Sequence, residues 1–166
     1  CNILGPNGIQ TLTVPLKKGK NLSSISEVLI SYDEDWCTNH LRSLKTAYST
    51  SPYYEYYIDK IQTLYRKDYV KLLDLDLAIT ELMTTVLGLD AIQLTSTFQH
   101  PKQFSGYDFR TKKEIFEFNM PSYSQVFEDK FGFVSNLSIL DLLFNAGPES
   151  KAILKRSSIT FYNSSV

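Results

Sequence analysis

Apolar and polar residues alternate with two different periods along this chain, and the change of period divides it into regions. Leu12, Val14 and Leu16 alternate with Thr11, Thr13 and Pro15. A period of two marks a half-buried strand, and Pro15 points to an edge or a strand end. Gly5-Pro6-Asn7-Gly8 is a turn signal, with Asn-Gly suited to positive φ. Residues 2–16 are therefore expected to form a β-hairpin. Lys17-Lys18-Gly19-Lys20 reads as a basic loop. Ser26 to Ser31 predicts another strand, with Val28 and Ile30 on one face.

The period then becomes helical. Asp33 or Asp35 can cap a helix beginning near Trp36. Leu41, Leu44 and Tyr48 form its expected buried stripe. Ser51-Pro52 predicts a restart, with Ser as N-cap and Pro in the first turn, and Tyr53, Tyr57, Ile61 and Leu64 follow. Leu72, Leu75, Ile79, Leu82 and Val86 repeat through a third helix that Gly88 suits as a C-terminal cap. That helix also carries Leu73, Leu77, Met83 and Leu87. It is apolar over much of its girth and is expected to lie centrally.

Ile92, Leu94, Ser96 and Phe98 alternate again and predict a half-buried strand. Residues 99–135 are irregular, polar and aromatic. Connections of that length inside a compact domain are usually functional or disordered, and the aromatics argue against disorder. A short strand is expected at Phe116–Phe118. Asn136 or Ser138 can cap a last core helix over Ile139–Phe144, with Ser138 and Asp141 as a capping-box-like pair. Gly147-Pro148 ends that helix and can open another short one. These elements predict an α+β fold: a small, mainly antiparallel sheet against a helical cluster from 36–88 and 136–155. A mixed α/β sheet is the alternative if a preceding segment adds a parallel strand. Residues 1–156 are expected to form one domain, and the Ser-rich residues 157–166 a frayed tail.

The chain's 166 residues fit one domain and can bury roughly 70% of the unfolded surface. A formal net charge of −1 and the lack of a basic block argue against a nucleic-acid partner. No apolar run is long enough to cross a bilayer, and Cys1-Asn2-Ile3-Leu4-Gly5 is no signal peptide. Membrane insertion is not expected, and the expected compartment is the cytoplasm. Cys1 and Cys37 have neither zinc spacing nor a disulfide framework. The 11 Tyr and 10 Phe can form a sugar- or nucleoside-facing surface, but amphipathic packing at the core's edge ranks above it.

His40 falls four residues after Trp36, so the two share a helix face. It can move protons near neutral pH, or it is simply a surface or core-edge histidine bonded to backbone. Arg42 can clamp a phosphate or carboxylate, though a lone helix Arg is more often solvated. His100-Pro101-Lys102 opens the irregular stretch, where sites concentrate. His100 is a second candidate base and Lys102 an anion ligand; an ordinary strand-exit turn explains the triplet equally well. Tyr123 and Gln125 share a face if their segment is extended and can contact a sugar or an amino acid, or merely belong to a loop anchored by Phe127. Asp141 suits the positive end of its helix, which ranks above a catalytic role. Lys17 belongs to a basic loop that can attract a nucleotide sugar or a carboxylate, or be plainly solvated.

Phosphate-cradling glycine loops and a nucleophile elbow are missing. Two distant histidines without patterned acids make no metal site. Cys37 lies three residues from His40, within reach on a helix, but a lone helix Cys is usually buried and inert.

Several stretches, in order, resemble the WbqC-like family. They are Ile3-Leu4-Gly5 with Leu12-Thr13-Val14-Pro15, Trp36 with His40-Leu41-Arg42-Ser43, and Ala47-Tyr48 leading into Ser51-Pro52-Tyr53-Tyr54-Glu55-Tyr56-Tyr57. Leu73-Asp74-Leu75, His100-Pro101-Lys102, Tyr123-Ser124-Gln125-Val126-Phe127 and Phe131-Gly132-Phe133 follow. Asn136 to Phe144 and then Gly147-Pro148-Glu149 complete the set. No single stretch is diagnostic; the ordered set, over residues 1–156, is specific. The resemblance implies surface-polysaccharide (O-antigen) synthesis, with glycine or a small acyl group moved onto an amino sugar. The rival expectation is a non-catalytic sugar- or protein-binding module. Members of that family begin with a further strand and a His- and Pro-bearing turn followed by Tyr and Pro. The chain shows no counterpart, and a site that needs that segment would be incomplete here. An amino sugar or nucleotide sugar is the expected ligand. The cofactor is not legible in the sequence, and a homo-oligomer stays open.

Overall fold

The computed structural model describes residues 1–17, 24–95, 97 and 115–162. Strands β1 (Asn2–Gly5) and β2 (Gly8–Thr11) pair antiparallel, with Gly5 opposite Gly8. Gly8 has φ of 106°, which a side chain would resist; Asn7 does not share the positive φ that its type permits. Ile3 and Leu4 are buried, and β1 packs on α1 (Trp36–Tyr48) and on α5 (Ile139–Ala146). The intervening helices are α2 (Tyr54–Tyr65), α3 (Leu72–Leu87) and the short α4 (Glu128–Phe131), and α6 (Ser150–Arg156) follows α5. Strands β3 (Ile115–Asn119) and β4 (Ser158–Tyr162) form a second antiparallel pair.

The fold is α+β, as the pattern predicts. The sheet divides into two two-stranded pieces. Among the described elements, β3 and β4 pack chiefly on each other. The segment expected as a frayed tail contributes β4, and 163–166 lie outside the described residues.

The caps explain the helix boundaries. The Asp35 carboxylate accepts from the Thr38 amide at 3.1 Å and starts α1, satisfying one of the orphan donors of a first turn. Gly88, at φ 60°, closes α3 in the left-handed conformation, and the Lys151 ammonium donates to its carbonyl. The Ser138 hydroxyl accepts from the Leu140 amide at the start of α5. The expected restart at Ser51-Pro52 is displaced. Ser51 Oγ instead donates to the Tyr48 carbonyl at 2.7 Å. That bond closes a turn after α1, and α2 begins at Tyr54.

Three further expectations need correction. Residues 26–31 are not one strand. The Ser24 hydroxyl accepts from the Ser26 amide and Ile25–Glu27 coil into a 3-10 turn. Only isolated bridges follow, Leu29 to Lys71 and Leu16 to Ile30. Residues 91–95 form no strand, and Leu94 is 72% exposed; Ser96 and Phe98 of that prediction lie outside the described residues. Among the described residues no strand pairs with this alternation. Third, α3 is not central. It packs on α2 and the 3-10 turn, buries Leu75, Met83 and Leu87, and leaves Ile79 at its edge.

The core lies where α1, α2, α5 and β1 meet. Phe144 stands 5.2 Å, centroid to centroid, from both Tyr48 and Tyr54, in the tilted geometry aromatic quadrupoles prefer. Part of the tyrosine is thus interior: Tyr48, Tyr54 and Tyr57 are buried, whereas Tyr32 and Tyr56 are exposed. Gly147 turns the chain from α5 to α6 at φ 50°, and a Cβ there would fall 2.5 Å from the Tyr53 ring.

Candidate functional site

His40 belongs to the buried stripe of α1, which runs Trp36, His40, Leu44, Ala47, Tyr48. The spacing is helical, so the imidazole points where the leucine points. Its Nε2 lies 3.1 Å from the Thr13 carbonyl. A carbonyl only accepts, so Nε2 carries the proton and Nδ1 keeps its lone pair. The Tyr65 hydroxyl donates to Nδ1 across a long 3.4 Å. Burial holds the imidazole below its ordinary pKa, and the Thr13 bond opposes that shift. His40 is therefore neutral at pH 7, with its tautomer fixed from behind.

Trp36, His40 and Tyr65 form an aromatic corner. Ring centroids are 5.2 Å apart for Trp36–His40 and 5.9 Å for Trp36–Tyr65, both edge to face. This corner walls a cavity of about 450 Å³ between α1, α2, α3 and the start of α5. Its other walls are mainly aliphatic, from Leu12 and Val14 across to Ile79 and Met83. Two polar atoms in its lining residues are buried without a hydrogen-bond partner, Trp36 Nε1 and the Tyr69 hydroxyl. An unsatisfied buried donor costs roughly 1–3 kcal/mol, so each is an anomaly. Burial, with Cys37 beside it, lifts the Tyr65 hydroxyl to about 12. Cys37 also lines the cavity. Burial and then the charge of Asp35 push its thiol up, which keeps it protonated and a poor nucleophile.

A second polar cluster centres on Asp141, in the first turn of α5 and only 1% exposed. Its Oδ2 accepts from the Tyr123 hydroxyl at 2.7 Å and from Gln125 Nε2 at 2.8 Å. Gln125 also brackets Val134, donating to its carbonyl at 2.9 Å and accepting from its amide at 2.8 Å. Burial, followed by the Asp141 charge, raises the hydroxyl pKa of both Tyr123 and Tyr48. Tyr48 in turn accepts from the Leu4 amide. Beside Gln125, a shallower cavity of about 210 Å³ opens towards Thr50, Ser51 and Asn145.

The expected site residues thus fall into separate places. Trp36 and His40 share the apolar cavity. Tyr123 and Gln125 do face the same way, as their alternation predicts, but towards Asp141. Arg42 and Lys17 are exposed and line neither cavity. His100 and Lys102 lie outside the described residues. Tyr65 and Tyr69 escaped the sequence reading because nothing local marks them. Asp141 carries a signal that was available: a carboxylate amid Ile139, Leu140, Leu142, Leu143 and Phe144 sits where only a buried one fits.

Among the described residues no group of three or more His, Cys, Asp or Glu can hold a metal ion, and no helix is long and apolar enough to cross a membrane. The model of the WbqC-like protein family matches residues 1–106 and, overlapping them, 96–153. No curated protein and no solved structure matches the chain.

Proposed function

Because the chain belongs to the WbqC-like protein family, we propose that it acts in the synthesis of O-antigen or a related surface polysaccharide. In this reading it is a transferase that moves glycine or a small acyl group onto an amino sugar. The observation that carries the reading is His40: neutral, tethered through Nε2 to a backbone carbonyl, and lining a cavity with Nδ1 held only by a long contact. A histidine whose far nitrogen is fixed by an acceptor is oriented for use as a base.

The reaction forms one bond and breaks one. The sugar's amine nitrogen bonds to the acyl carbonyl carbon, and the bond from that carbon to the leaving group breaks. The amine's proton passes to His40 Nδ1 and departs with the leaving group. Arg42 and Lys17 are exposed cations suited to a phosphate or carboxylate, and Lys102 is proposed beside them, with His100 as a second base. Tyr123 and Gln125 hold the segment around Val134 in place through Asp141; either can orient the acceptor only by releasing that carboxylate.

The test is mass spectrometry on UDP-linked amino sugars, with glycine and ATP or with acyl-coenzyme A donors. The expected result is a mass gain on the sugar that falls roughly 10²–10⁴-fold in His40→Ala. His100→Ala with full turnover removes His100 from the mechanism. A second reading, a non-catalytic sugar- or protein-binding module, is favoured by one observation: both ring nitrogens of His40 already have partners within the fold. Saturable sugar binding without a mass gain from any donor replaces the transferase with that module.

A further inference from the structure

We propose that the cavity beside His40 is an acyl pocket, which takes a straight-chain acyl group by its hydrocarbon and its carbonyl and takes a glycyl group poorly. The inference deepens the transferase reading and rests on it for the fate of the acyl group.

Three observations converge. The first is the wall. Leu12, Val14, Leu64, Leu75, Ile79 and Met83 line a space of about 450 Å³, within the range of small-molecule pockets. A glycyl group brings almost no hydrocarbon to it. Each methylene of an acyl chain that leaves water for such a wall strengthens binding about fourfold.

The second is the pair of buried donors without partners, Trp36 Nε1 and the Tyr69 hydroxyl. Trp36 is only 6% exposed, so water does not serve its indole N–H. Both atoms belong to residues that line the cavity, and a carbonyl oxygen reached by a small shift of either side chain supplies an acceptor that it lacks. A bare hydrocarbon would leave them unsatisfied, and an ammonium would bring the wrong polarity.

The third is charge. The ionisable side chains lining the cavity include one fixed cation, Lys67, and one acid, Asp76, whose carboxyl is pushed up by burial. Little net field acts on an occupant, which suits an uncharged tail more than an anion.

Trp36 is the chain's one tryptophan, so its emission reports on this wall alone. The experiment is a fluorescence titration of the whole chain with straight-chain N-acylethanolamines, from acetyl to decanoyl, with N-glycylethanolamine as the polar comparison. The expected result is a saturable change in emission. Affinity rises about fourfold per methylene and levels off once the cavity is full, and the glycyl compound binds most weakly. Ile79→Arg, at a residue already 37% exposed, is expected to weaken octanoyl binding at least tenfold. Tyr69→Phe is expected to weaken it about fivefold by removing one donor. Circular dichroism checks that each variant folds; should Ile79→Arg fail, the chain-length series and Tyr69→Phe still decide.

Affinity independent of chain length overturns the proposal, as does Ile79→Arg binding as tightly as the parent. So does a dimer by sedimentation whose Trp36 emission no acyl compound alters, since a second copy would then fill the cavity. Chain-length-dependent binding without any mass gain on a sugar keeps the pocket and removes the transferase. Glycyl transfer without acyl binding does the reverse.

Discussion

His40 on α1 and Asp141 on α5 are both buried polar side chains, and their surroundings differ in completeness. Asp141 is closed off. Its carboxylate has short bonds from a hydroxyl and an amide, and Gln125 in that network has its donors and its acceptor engaged. His40 stands at the edge of a space, with one firm bond, one long one, and neighbours holding unpartnered donors. A satisfied buried network fixes structure. An incomplete one beside a cavity is where a ligand has something to complete. The difference fits the proposed reading, in which the Asp141 cluster serves stability and the His40 corner serves the reaction.

The largest expected effect tests the closed side. Asp141→Ala removes the acceptor for Tyr123 and Gln125 and leaves both donors buried. The expected loss is about 3 kcal/mol or more, read as a fall in the urea midpoint at constant slope. A change under about 1 kcal/mol would mean that water reaches the cluster. Tyr123→Phe comes next. It deletes one charge-assisted bond, worth about 1.5–3 kcal/mol, and should leave acyl binding untouched. Loss of binding with little loss of stability would reverse the assignment.

A smaller effect belongs to His40 and acid. Its folded pKa lies below the ordinary value of about 6.5 because burial disfavours the charged ring. The unfolded chain then binds the proton more readily. This contribution to stability is present above about pH 6.5 and is lost as pH falls through the depressed folded value. Urea midpoints at descending pH should decline less in His40→Gln than in the parent; equal slopes would mean that His40 is solvated. The smallest effect is expected from Tyr65→Phe, about 0.5 kcal/mol or less for so long a bond. Its informative readout is turnover against pH, whose lower limb should shift when Nδ1 loses its donor. An unmoved limb would separate Tyr65 from the chemistry.

Much of the helical scaffold was legible because its signals are local. Asp35 before Trp36, Gly88 after Leu87 and Ser138 before Ile139 are caps whose effect depends on a few neighbouring backbone groups. The turn of the first hairpin was legible for the same reason, but its second strand ends at Thr11, before the alternation over residues 12–16 that predicted it. Residues 26–31 and 92–95 misled because alternation describes a strand only when another strand accepts it. Nothing within those segments reveals whether one does. The site was half legible. The helical spacing of Trp36 and His40 places them together, whereas Tyr65, at the end of α2, and Tyr69, in the loop that follows it, join the cavity wall only through tertiary packing.

The sequence by itself determined the α+β class, the main helices with their caps, and the shared facing of Tyr123 with Gln125. Those properties follow from periodicity and from hydrogen bonds spanning a few residues. Only the tertiary structure decided that the sheet divides in two, that α3 lies at the edge of the core, and that Tyr123 and Gln125 face a buried carboxylate. It alone left the Trp36 indole and Tyr69 phenol donors, on residues lining the cavity, without partners. These are outcomes of which distant surfaces meet, and the free energy that selects them, burial of apolar area against satisfaction of every buried polar group, is a property of the whole packed chain.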